Sequence, residues 1–294
     1  MIRVEIDSNS GFCGGVIRAI STAEKFLSAN SELYSLGAIV HNEEELSRLQ
    51  SLGLVTIDSI EEVPAPEAGK PLLIRAHGEP PQVYERIREK GFKLMDCTCP
   101  VVLNLQKAIR EAYSRMSEVG GSIVIFGKIG HPEVLGLVGQ VGGDVNVVQN
   151  LTQLRDLIES GKLHTDRDIE LFSQTTMSPV EYDSVTEYLR GRMSSASLFV
   201  HKTICQQVAG RHRELVDFAR SHDVIVFVSS KSSSNGKVLY DLCRSENART
   251  YMVGSADELQ REWFENAGSA GVCGATSTPK WLLEAVAEAI ENLQ

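Results

Sequence analysis

The sequence predicts an α/β protein made of three similar units, each containing a small, mostly parallel sheet. The first observation behind this prediction is an internal repeat: "CGGVIRAI", "CPVVLNLQKAI" and "CQQVAGRHRELV" each place a cysteine just before an amphipathic helical pattern. The second is that three short apolar segments, typical of buried strands, follow each of these helices. The third is that helical patterns separate the strands, as in parallel sheets joined by crossovers.

The repeat divides the 294 residues into three predicted units. They are residues 1–98, residues 99–203, and residues 204–294, the last of which ends in a C-terminal helix. The helices that open the units begin at Cys13, Cys99 and Cys205, and a valine follows three residues after each cysteine. The units therefore share one order of a helix followed by three strands.

Composition excludes several classes of protein. A hydrophobic fraction of 42% and a charged fraction of 23% are ordinary for a globular chain. The net charge of -10 opposes broad binding to nucleic acids or anionic membranes, which are themselves polyanions. No apolar run approaches the roughly 20 residues of a membrane span, and the first residues do not resemble a signal peptide. We therefore expect a cytoplasmic protein without a membrane or nucleic-acid partner.

In the first unit, the predicted strands are "LGAIVHN", "LVTIDSIEEV" and "PLLIRAHGEP". The first ends in polar residues at His41 and Asn42, about thirty residues after Cys13, and the third ends at His77. The second breaks near Asp58 into a helix start. Two histidines thus follow the strands of this unit.

In the second unit, the corresponding segments are "SIVIFGKIGHPE", "VNVVQNLTQLRDLI" and "IELFSQTTMS". The first reaches His131 and Glu133, and the third reaches Thr175 and Thr176. Asn150 stands at the helix start that follows the middle strand. An imidazole, a carboxylate and two hydroxyl groups therefore end the strands of this unit.

In the third unit, the segments are "VIVFVSSKSSSN", "TYMVGSADELQ" and "GVCGATSTP". They reach Ser233, Ser234 and Asn235 in the first case, Ser255 in the second and Ser277 in the third. Ligands of open α/β sheets bind beyond the carboxyl ends of the strands. We therefore expect the polar residues of all three units to form one site with pseudo-threefold symmetry.

The three cysteines at helix starts predict a metal site. A helix N-terminus favours the thiolate, which is the form of cysteine that binds metal. Structural zinc prefers four protein ligands, often in close pairs, whereas three separated cysteines supply three. Iron–sulfur clusters accept thiolates from distant parts of a chain, and three ligands on a four-iron cluster leave one iron open as a Lewis acid. The residues alone do not exclude zinc, but they favour an iron–sulfur cluster.

The polar strand ends predict an anion site beside the metal. Histidines, hydroxyl groups and an asparagine can hold a phosphate or a diphosphate through hydrogen bonds and imidazolium charge. Neither G-x-x-x-x-G-K-[ST] nor a G-x-G-x-x-G after a strand is present, so a nucleotide is disfavoured. Glu133 is the candidate proton donor. The alternative is that His41 and His77 bond to backbone and that "SSKSSSNGK" is an ordinary polar loop.

Several motifs together resemble the 4-hydroxy-3-methylbut-2-enyl diphosphate reductase family (LytB/IspH), the last enzymes of the non-mevalonate isoprenoid pathway. They occur in the family's order from about residue 10 to 280. The motifs are "GFCGGVIRAI", "VHNEEE", "RAHGEPP", "DCTCPVV", "GHPEVLGLVGQV", "SQTTMS", "TICQQVAGR", "SSKSSSNGK" and "GATSTP". The resemblance implies a trefoil of three α/β units around a central cluster site.

The resemblance also implies a role for each matched residue. The ligands of a four-iron, four-sulfur cluster with one open iron would be Cys13, Cys99 and Cys205. The substrate hydroxyl and its proton would be managed by Glu133 and Thr175, with Thr176 beside them. The residues implied to grip the diphosphate are His41, His77, His131, Ser233, Ser234, Asn235 and Ser277.

The chain departs from the family pattern at a few positions. Cys97 stands where the pattern D-A-T-C-P has a small residue, so Cys97 could replace a ligand in a damaged cluster. His212 follows Arg211 where glutamine is common, and "CGATSTP" replaces a more usual run of small residues before Ser277. Cys243 and Cys273 match no functional position, and we interpret them as packing residues.

The implied activity is reductive dehydroxylation of an allylic diphosphate to isopentenyl and dimethylallyl diphosphate. Its electrons would come from reduced ferredoxin or flavodoxin, because no flavin or nicotinamide motif is visible. Two alternatives belong to other classes. One is a zinc-dependent hydrolase of a phosphorylated small molecule that uses the same cysteines, and the other is a non-catalytic iron–sulfur sensor.

Overall fold

The structure is a computed structural model that describes residues 2–63, 69–143, 145–193 and 195–293. Within these residues the chain forms twelve β-strands and ten α-helices. The strands are β1 (Arg3–Ile6), β2 (Leu33–Leu36), β3 (Leu54–Ile57), β4 (Pro71–Ile74), β5 (Lys93–Asp96), β6 (Ser122–Phe126), β7 (Asn146–Val148), β8 (Ile169–Ser173), β9 (Leu198–Val200), β10 (Val224–Val228), β11 (Thr250–Val253) and β12 (Ser269–Gly274).

The α-helices are α1 (Gly14–Leu27), α2 (Glu43–Ser51), α3 (Pro81–Glu89), α4 (Pro100–Val119), α5 (Pro132–Val138), α6 (Leu151–Glu159), α7 (Pro179–Arg192), α8 (Gln206–Arg220), α9 (Ser234–Glu246) and α10 (Lys280–Asn292). Short 3-10 helices occur at Ile60–Glu62, Gly139–Val141, Ala256–Glu258 and Arg261–Phe264.

Three four-stranded sheets confirm the predicted α/β fold class with three similar units. The first sheet has the order β1-β12-β10-β11 and the third has the order β7-β6-β8-β9. The second consists of β2 to β5, in which β2 pairs with β3 and β4 pairs with β5. Every strand pair whose register is described is parallel. The inner strands β8 and β10 are buried along their whole length, which explains their continuous apolar runs.

Each sheet contains a fourth strand that the sequence did not reveal: β1, β5 and β9. These strands are three or four residues long and mostly half-buried or exposed, so they lack a long apolar run. In the chain, each one directly precedes the segment that carries Cys13, Cys99 or Cys205. The first strand, β1, pairs with β12 near the other end of the chain.

The predicted helix starts are confirmed at all three repeat cysteines. Cys13 and Cys99 occupy the N-cap positions of α1 and α4, and Cys205 immediately precedes α8. Asn150 caps α6, because its side chain accepts a hydrogen bond from the backbone N–H of Gln153. By contrast, the segments after β3 and β11 form short 3-10 helices.

One predicted strand lies earlier in the chain than expected. The apolar segment "LGAIVHN" predicted a strand that ends at His41, whereas β2 ends at Leu36. Gly37 follows with φ of 70°, a left-handed conformation that interrupts extended backbone. His41 therefore lies in the connection between β2 and α2.

The chain groups into two compact units. One contains the residues up to Ser59 together with Gln206 onward, and the other is Ile60–Cys205. A large core of the first unit joins β10, β11 and β12 to α10, and the second unit has cores on both faces of its inner strands β6 and β8. The three boundaries predicted from the sequence repeat stay a prediction. No helix in the described part of the chain has both the length and the apolarity to cross a membrane.

Candidate active site

Cys13 lies in the first compact unit, on the loop between β1 and α1. Its backbone N–H donates to the carbonyl oxygen of Thr276 at 3.1 Å. Its side chain makes no capping hydrogen bond to α1. The Cys13 thiol therefore lies at the start of a helix, while its backbone is held against the end of β12.

The N-terminus of α9 places three of the predicted anion-binding residues side by side. Ser233 caps this helix, since its hydroxyl accepts from the N–H of Gly236 at 3.0 Å. The hydroxyl oxygens of Ser233 and Ser277 are 3.1 Å apart, and both residues are buried. Asn235 lies on the first turn of α9 and accepts two hydrogen bonds from Thr276 through Oδ1. Hydroxyl groups and free helix N–H groups together form an environment that favours anions.

Two polar atoms at this helix start have no partner within the described residues. They are Nδ2 of Asn235 and Oγ of Ser234, both of which are buried. Leaving a buried amide donor unpaired costs about 1–3 kcal/mol, so such groups commonly mark a ligand site. Asn42, which follows His41, has a structural role instead, because its side chain caps α2 by accepting from the N–H of Glu45.

The second compact unit contains Cys99 and Cys205 in similar settings. The backbone N–H of Cys99 donates to the carbonyl oxygen of Ala76 at 3.0 Å, and that of Cys205 donates to Thr175 at 2.9 Å. In all three cases the acceptor lies two residues beyond the last residue of a strand, namely β12, β4 or β8. The repeat is therefore a repeat of backbone geometry as well as of sequence.

Glu133 and Thr175 form a buried pair in the second unit. Glu133 lies on the first turn of α5 and is 1% exposed. Its Oε1 accepts from the backbone N–H of Thr175 at 2.7 Å, and its Oε2 accepts from the hydroxyl of Thr175 at 2.8 Å. One residue thus fixes both carboxylate oxygens.

The surroundings of Glu133 favour its protonated form. Burial raises the pKa of Glu133 to about 7, although the two hydrogen bonds from Thr175 act in the opposite direction. A carboxyl group whose pKa lies near neutrality can both hold and release a proton at physiological pH. These properties fit the proton donor predicted from the sequence.

His131 and His77 also meet in the second unit. Their rings are edge to face, with centroids 5.2 Å apart. The Nδ1 atom of His131 accepts a hydrogen bond from the backbone N–H of Glu133 at 3.1 Å. An acceptor nitrogen carries no proton, so the proton of this imidazole is on Nε2, which can donate to an anion.

The cysteines of the chain fall into two groups. All six are outside disulfides; Cys13, Cys99 and Cys205 are partly exposed, whereas Cys97, Cys243 and Cys273 are buried. Cys97 is 2% exposed, and the last two pack in the apolar core between α8, α9 and β10. Partly exposed thiols at helix starts fit the ligands of a metal or cluster, and buried thiols fit the packing role predicted for Cys243 and Cys273.

The sequence analysis did not identify two residues that form hydrogen bonds to the predicted site residues. Thr276 joins Asn235 to the backbone of Cys13. Gln174 is fully buried, and its side-chain amide makes two hydrogen bonds. Nε2 donates to the hydroxyl of Thr176 at 2.9 Å, and Oε1 accepts from the backbone N–H of Lys128. Thr276 could have been found from the repeat, since it occupies the position of Thr175 in its own unit.

The structure thus places the predicted residues in two groups, one in each compact unit. The first unit holds Cys13, His41, Ser233, Ser234, Asn235 and Ser277. The second holds Cys99, Cys205, His77, His131, Glu133, Thr175 and Thr176. That both groups serve a single site stays a prediction.

Comparisons with known proteins give a consistent result. The chain matches the family described as "LytB protein" over residues 4–291. A 4-hydroxy-3-methylbut-2-enyl diphosphate reductase of Bacteroides fragilis is 46% identical over 292 residues, with 99% of this chain and 98% of the relative covered. A protein of the same name from Chlorobium luteolum is 41% identical over 326 residues, with 100% of both chains covered.

Two solved structures resemble this fold. One is (E)-4-hydroxy-3-methyl-but-2-enyl diphosphate reductase, described as the terminal enzyme of the non-mevalonate pathway. It is 33% identical, with a TM-score of 0.68 and coverage of 99% of this chain and 100% of that one. The other is the E-1-hydroxy-2-methyl-but-2-enyl-4-diphosphate reductase from Plasmodium falciparum. It has a TM-score of 0.85 at 24% identity, covers 96% of this chain and 86% of that one, and so shows likeness of fold.

Proposed function

The chain belongs to the LytB protein family, and from this membership we infer that it reduces (E)-4-hydroxy-3-methylbut-2-enyl diphosphate to isopentenyl and dimethylallyl diphosphate. The reaction takes up two electrons and two protons, and the hydroxyl group leaves as water. It is the last step of the non-mevalonate isoprenoid pathway. The observation that carries the proposal is the buried Glu133–Thr175 pair, which supplies a proton donor of suitable pKa.

The proposed cofactor is a four-iron, four-sulfur cluster held by Cys13, Cys99 and Cys205. Support comes from the partial exposure of these cysteines, none of which is in a disulfide, and from the shared backbone hydrogen bond at each of the three helix starts. When bound, such a cluster would supply single electrons and an iron without a protein ligand that acts as a Lewis acid.

The diphosphate would be held by imidazole, hydroxyl and amide donors. Ser233, Ser234 and Asn235 lie where the free N–H groups and partial positive charge of α9 favour an anion. His131 can donate from Nε2, as its Nδ1 is already an acceptor. The residues proposed to hold the diphosphate are His41, His77, His131, Ser233, Ser234, Asn235 and Ser277, and Thr175 completes the substrate-binding set at the hydroxyl group of the substrate.

The proton that converts the hydroxyl into water would come from Glu133. With the carboxylate ionised, the hydroxyl of Thr175 donates to Oε2. When Glu133 carries a proton, that hydrogen bond can reverse, which frees the hydroxyl hydrogen of Thr175 for the substrate oxygen. The pair can therefore pass a proton without any change in the position of either side chain.

The electrons would come from a protein donor, for which reduced ferredoxin and flavodoxin are the proposed candidates. The chain has no sequence motif for a flavin or a nicotinamide, so it depends on an external source.

Replacing Glu133 with glutamine tests the proton assignment. We expect turnover to fall at least about 100-fold, because a positioned acid typically contributes a factor of that size. Binding of inorganic diphosphate and the content of iron and sulfide should stay close to wild type. The measurement is anaerobic turnover with a reduced donor, together with diphosphate titration of the same preparation.

Glu170→Gln is a matched control, because Glu170 is equally buried in the same unit but binds Arg115 and His201. That variant should lose stability and keep most of its turnover per folded molecule. Wild-type turnover in Glu133→Gln would remove the proton role. Zinc without sulfide in the anaerobically purified protein would support a hydrolase instead and contradict the cluster.

A further inference from the structure

We propose that a buried clamp of Asp7, Ser10 and Arg211 positions the Cys13 thiol, and that Arg211 is a positioning residue for the cluster. The inference rests on the proposed function, because it takes Cys13 as a cluster ligand. Every contact of the clamp lies within the first compact unit.

The hydroxyl group of Ser10 is the centre of the clamp. It donates to Oδ2 of Asp7 at 2.7 Å and accepts from Nη2 of Arg211 at 2.9 Å. It also accepts from the backbone N–H of Gly274 at 2.8 Å. A serine hydroxyl has one hydrogen to donate and two lone pairs, so these three bonds use its full capacity. The position of Ser10 is thereby fixed from three directions.

Asp7 and Arg211 form a buried ion pair around this hydroxyl. Nη1 of Arg211 lies 2.7 Å from Oδ2 of Asp7, and each side chain is 7% exposed. Asp7 begins the loop that follows β1, and its N–H donates to the carbonyl oxygen of Val272 on β12. Arg211 lies on α8, six residues after Cys205 in the chain. The pair therefore joins the loop, the helix and the strand.

The clamp reaches Cys13 through β12. Ser10 is bound to Gly274, and the N–H of Cys13 is bound to Thr276, two residues further along. The segment between these anchors contains Gly11, which has φ of 132°, and Gly14 and Gly15 follow Cys13. Such a glycine-rich segment has many accessible conformations, so the anchors rather than the segment itself determine where the thiol lies.

Gly274 completes the anchor because a side chain would not fit there. A Cβ atom at this position would lie 2.8 Å from the carbonyl oxygen of Val228. The absence of a side chain at Gly274 therefore lets the end of β12 lie close to Val228 on β10.

The loop before Cys205 contains a simpler version of the same anchor. The hydroxyl of Thr203 accepts from the N–H of Ser173 and donates to its carbonyl oxygen, both at 2.7 Å. Ser173 is the last residue of β8, as Gly274 is of β12. Ser10 and Thr203 thus hold equivalent strand ends. The Ser10 hydroxyl also bonds to the charged side chains of Asp7 and Arg211, whereas these two bonds of the Thr203 hydroxyl are to backbone atoms. In the Cys13 loop, the Asp7–Arg211 ion pair adds to this anchor.

Release of iron from the anaerobically purified protein tests this role. The variants are Arg211→Met, Arg211→Lys and Ser10→Ala, and the probe is a ferrous-iron chelator added in excess. We expect Arg211→Met to release iron about 10–100-fold faster than wild type, as is typical when a residue that orients metal ligands is lost. Arg211→Lys should lie between the two, because it keeps the charge but not the planar fork of donors.

Arg115→Met provides the matched control. Arg115 also extends from a helix to a buried carboxylate, Glu170 on β8, with two bonds of 3.1 and 2.9 Å. It lies sixteen residues beyond Cys99, roughly 24 Å along α4. This variant should lower the melting temperature without faster iron release. Equal acceleration in Arg115→Met and Arg211→Met would overturn the proposal, since the effect would then be general loss of stability.

Ser10→Ala keeps the test decisive if Arg211→Met does not fold. It removes only the central hydroxyl, and we expect at least tenfold faster iron release with an unchanged circular dichroism spectrum. Release within twofold of wild type in both Ser10→Ala and Arg211→Lys would overturn the clamp. Cys13→Ala separates this failure from failure of the proposed function: full iron and sulfide in that variant, which has no ligand atom at this position, would mean that Cys13 is not a ligand.

Discussion

At the scale of single residues, Glu133 shows how burial sets chemistry. Its carboxyl group is 1% exposed, and its hydrogen-bond partner is the uncharged Thr175. Loss of hydration therefore outweighs the hydrogen bonds, and the pKa rises from 4.5 to about 7. The same burial that suits Glu133 to its proposed role as a proton donor also makes its ionised form costly.

This cost predicts a pH dependence of stability. The folded protein binds the proton of Glu133 more tightly than the unfolded chain, so this group lowers stability as the pH rises from about 4.5 to about 7. The full effect is about 3 kcal/mol. Glu133→Gln cannot ionise, so its free energy of unfolding should not fall in this way. The stability of the variant minus that of wild type should therefore be greater at pH 8 than at pH 5, by up to about 3 kcal/mol.

Anaerobic chemical denaturation of both proteins at the two pH values is the measurement. A stability difference between variant and wild type that is the same at pH 5 and pH 8 would contradict the assigned shift in the pKa of Glu133.

Sequence reasoning identified the residues with distinctive chemistry and missed those whose role is to hold them. Cys13 stands out because a cysteine recurs just before three helices, and Glu133 and Asn235 stand out because they lie beyond the ends of predicted strands. Thr276 and Gln174 act through hydrogen bonds to other side chains or to backbone atoms. A threonine or glutamine is common on any surface, so its residue type alone carries little information about such bonds.

At the scale of elements, the start of α9 is the proposed anion site of the first unit. Asn235 uses Oδ1 to accept from Thr276 and leaves Nδ2 without a partner among the described residues. The side chain is therefore held by its acceptor and presents its donor.

Asn235→Asp tests this arrangement. The aspartate keeps an acceptor for Thr276 but replaces the donor with a negative charge. We expect binding of inorganic diphosphate to weaken at least about tenfold, because a hydrogen bond to a charged group contributes roughly 1.5–3 kcal/mol. Calorimetric titration of the anaerobic protein measures the effect.

Asn150→Asp is the control, since Asn150 also lies at a helix N-terminus, where it caps α6, and the change in charge is the same. It should leave diphosphate binding unchanged. Equal affinity in wild type and Asn235→Asp would exclude Asn235 from the anion site.

Strands were predictable in proportion to their burial. The inner strands β6, β8, β10 and β12 carry apolar runs because they are covered on both faces, and their segments were placed correctly. The strands β1, β5 and β9 were missed because they are short and largely half-buried or exposed. β2 was placed too late because the apolar residues after Gly37 continue beyond the strand.

At the scale of the whole molecule, the repeat predicted three sheets but not the fourth strand of each sheet. Each sheet takes a fourth strand from the segment before a cysteine, and for the first sheet this segment is the beginning of the chain. The partner of β1 is β12, so the pairing spans nearly the entire sequence. Periodicity within a short window carries no information about a partner at that separation.

The pairing of the first and last strands also determines when the protein can mature. Ser10 and its partner Gly274 are 264 residues apart, and a ribosome adds roughly 5–20 residues per second. Cys13 is therefore synthesised tens of seconds before Gly274 and Thr276, which anchor its loop. On the proposed function, cluster insertion at Cys13 would follow the synthesis of β12, and a nascent chain interrupted before β12 would not acquire a cluster there.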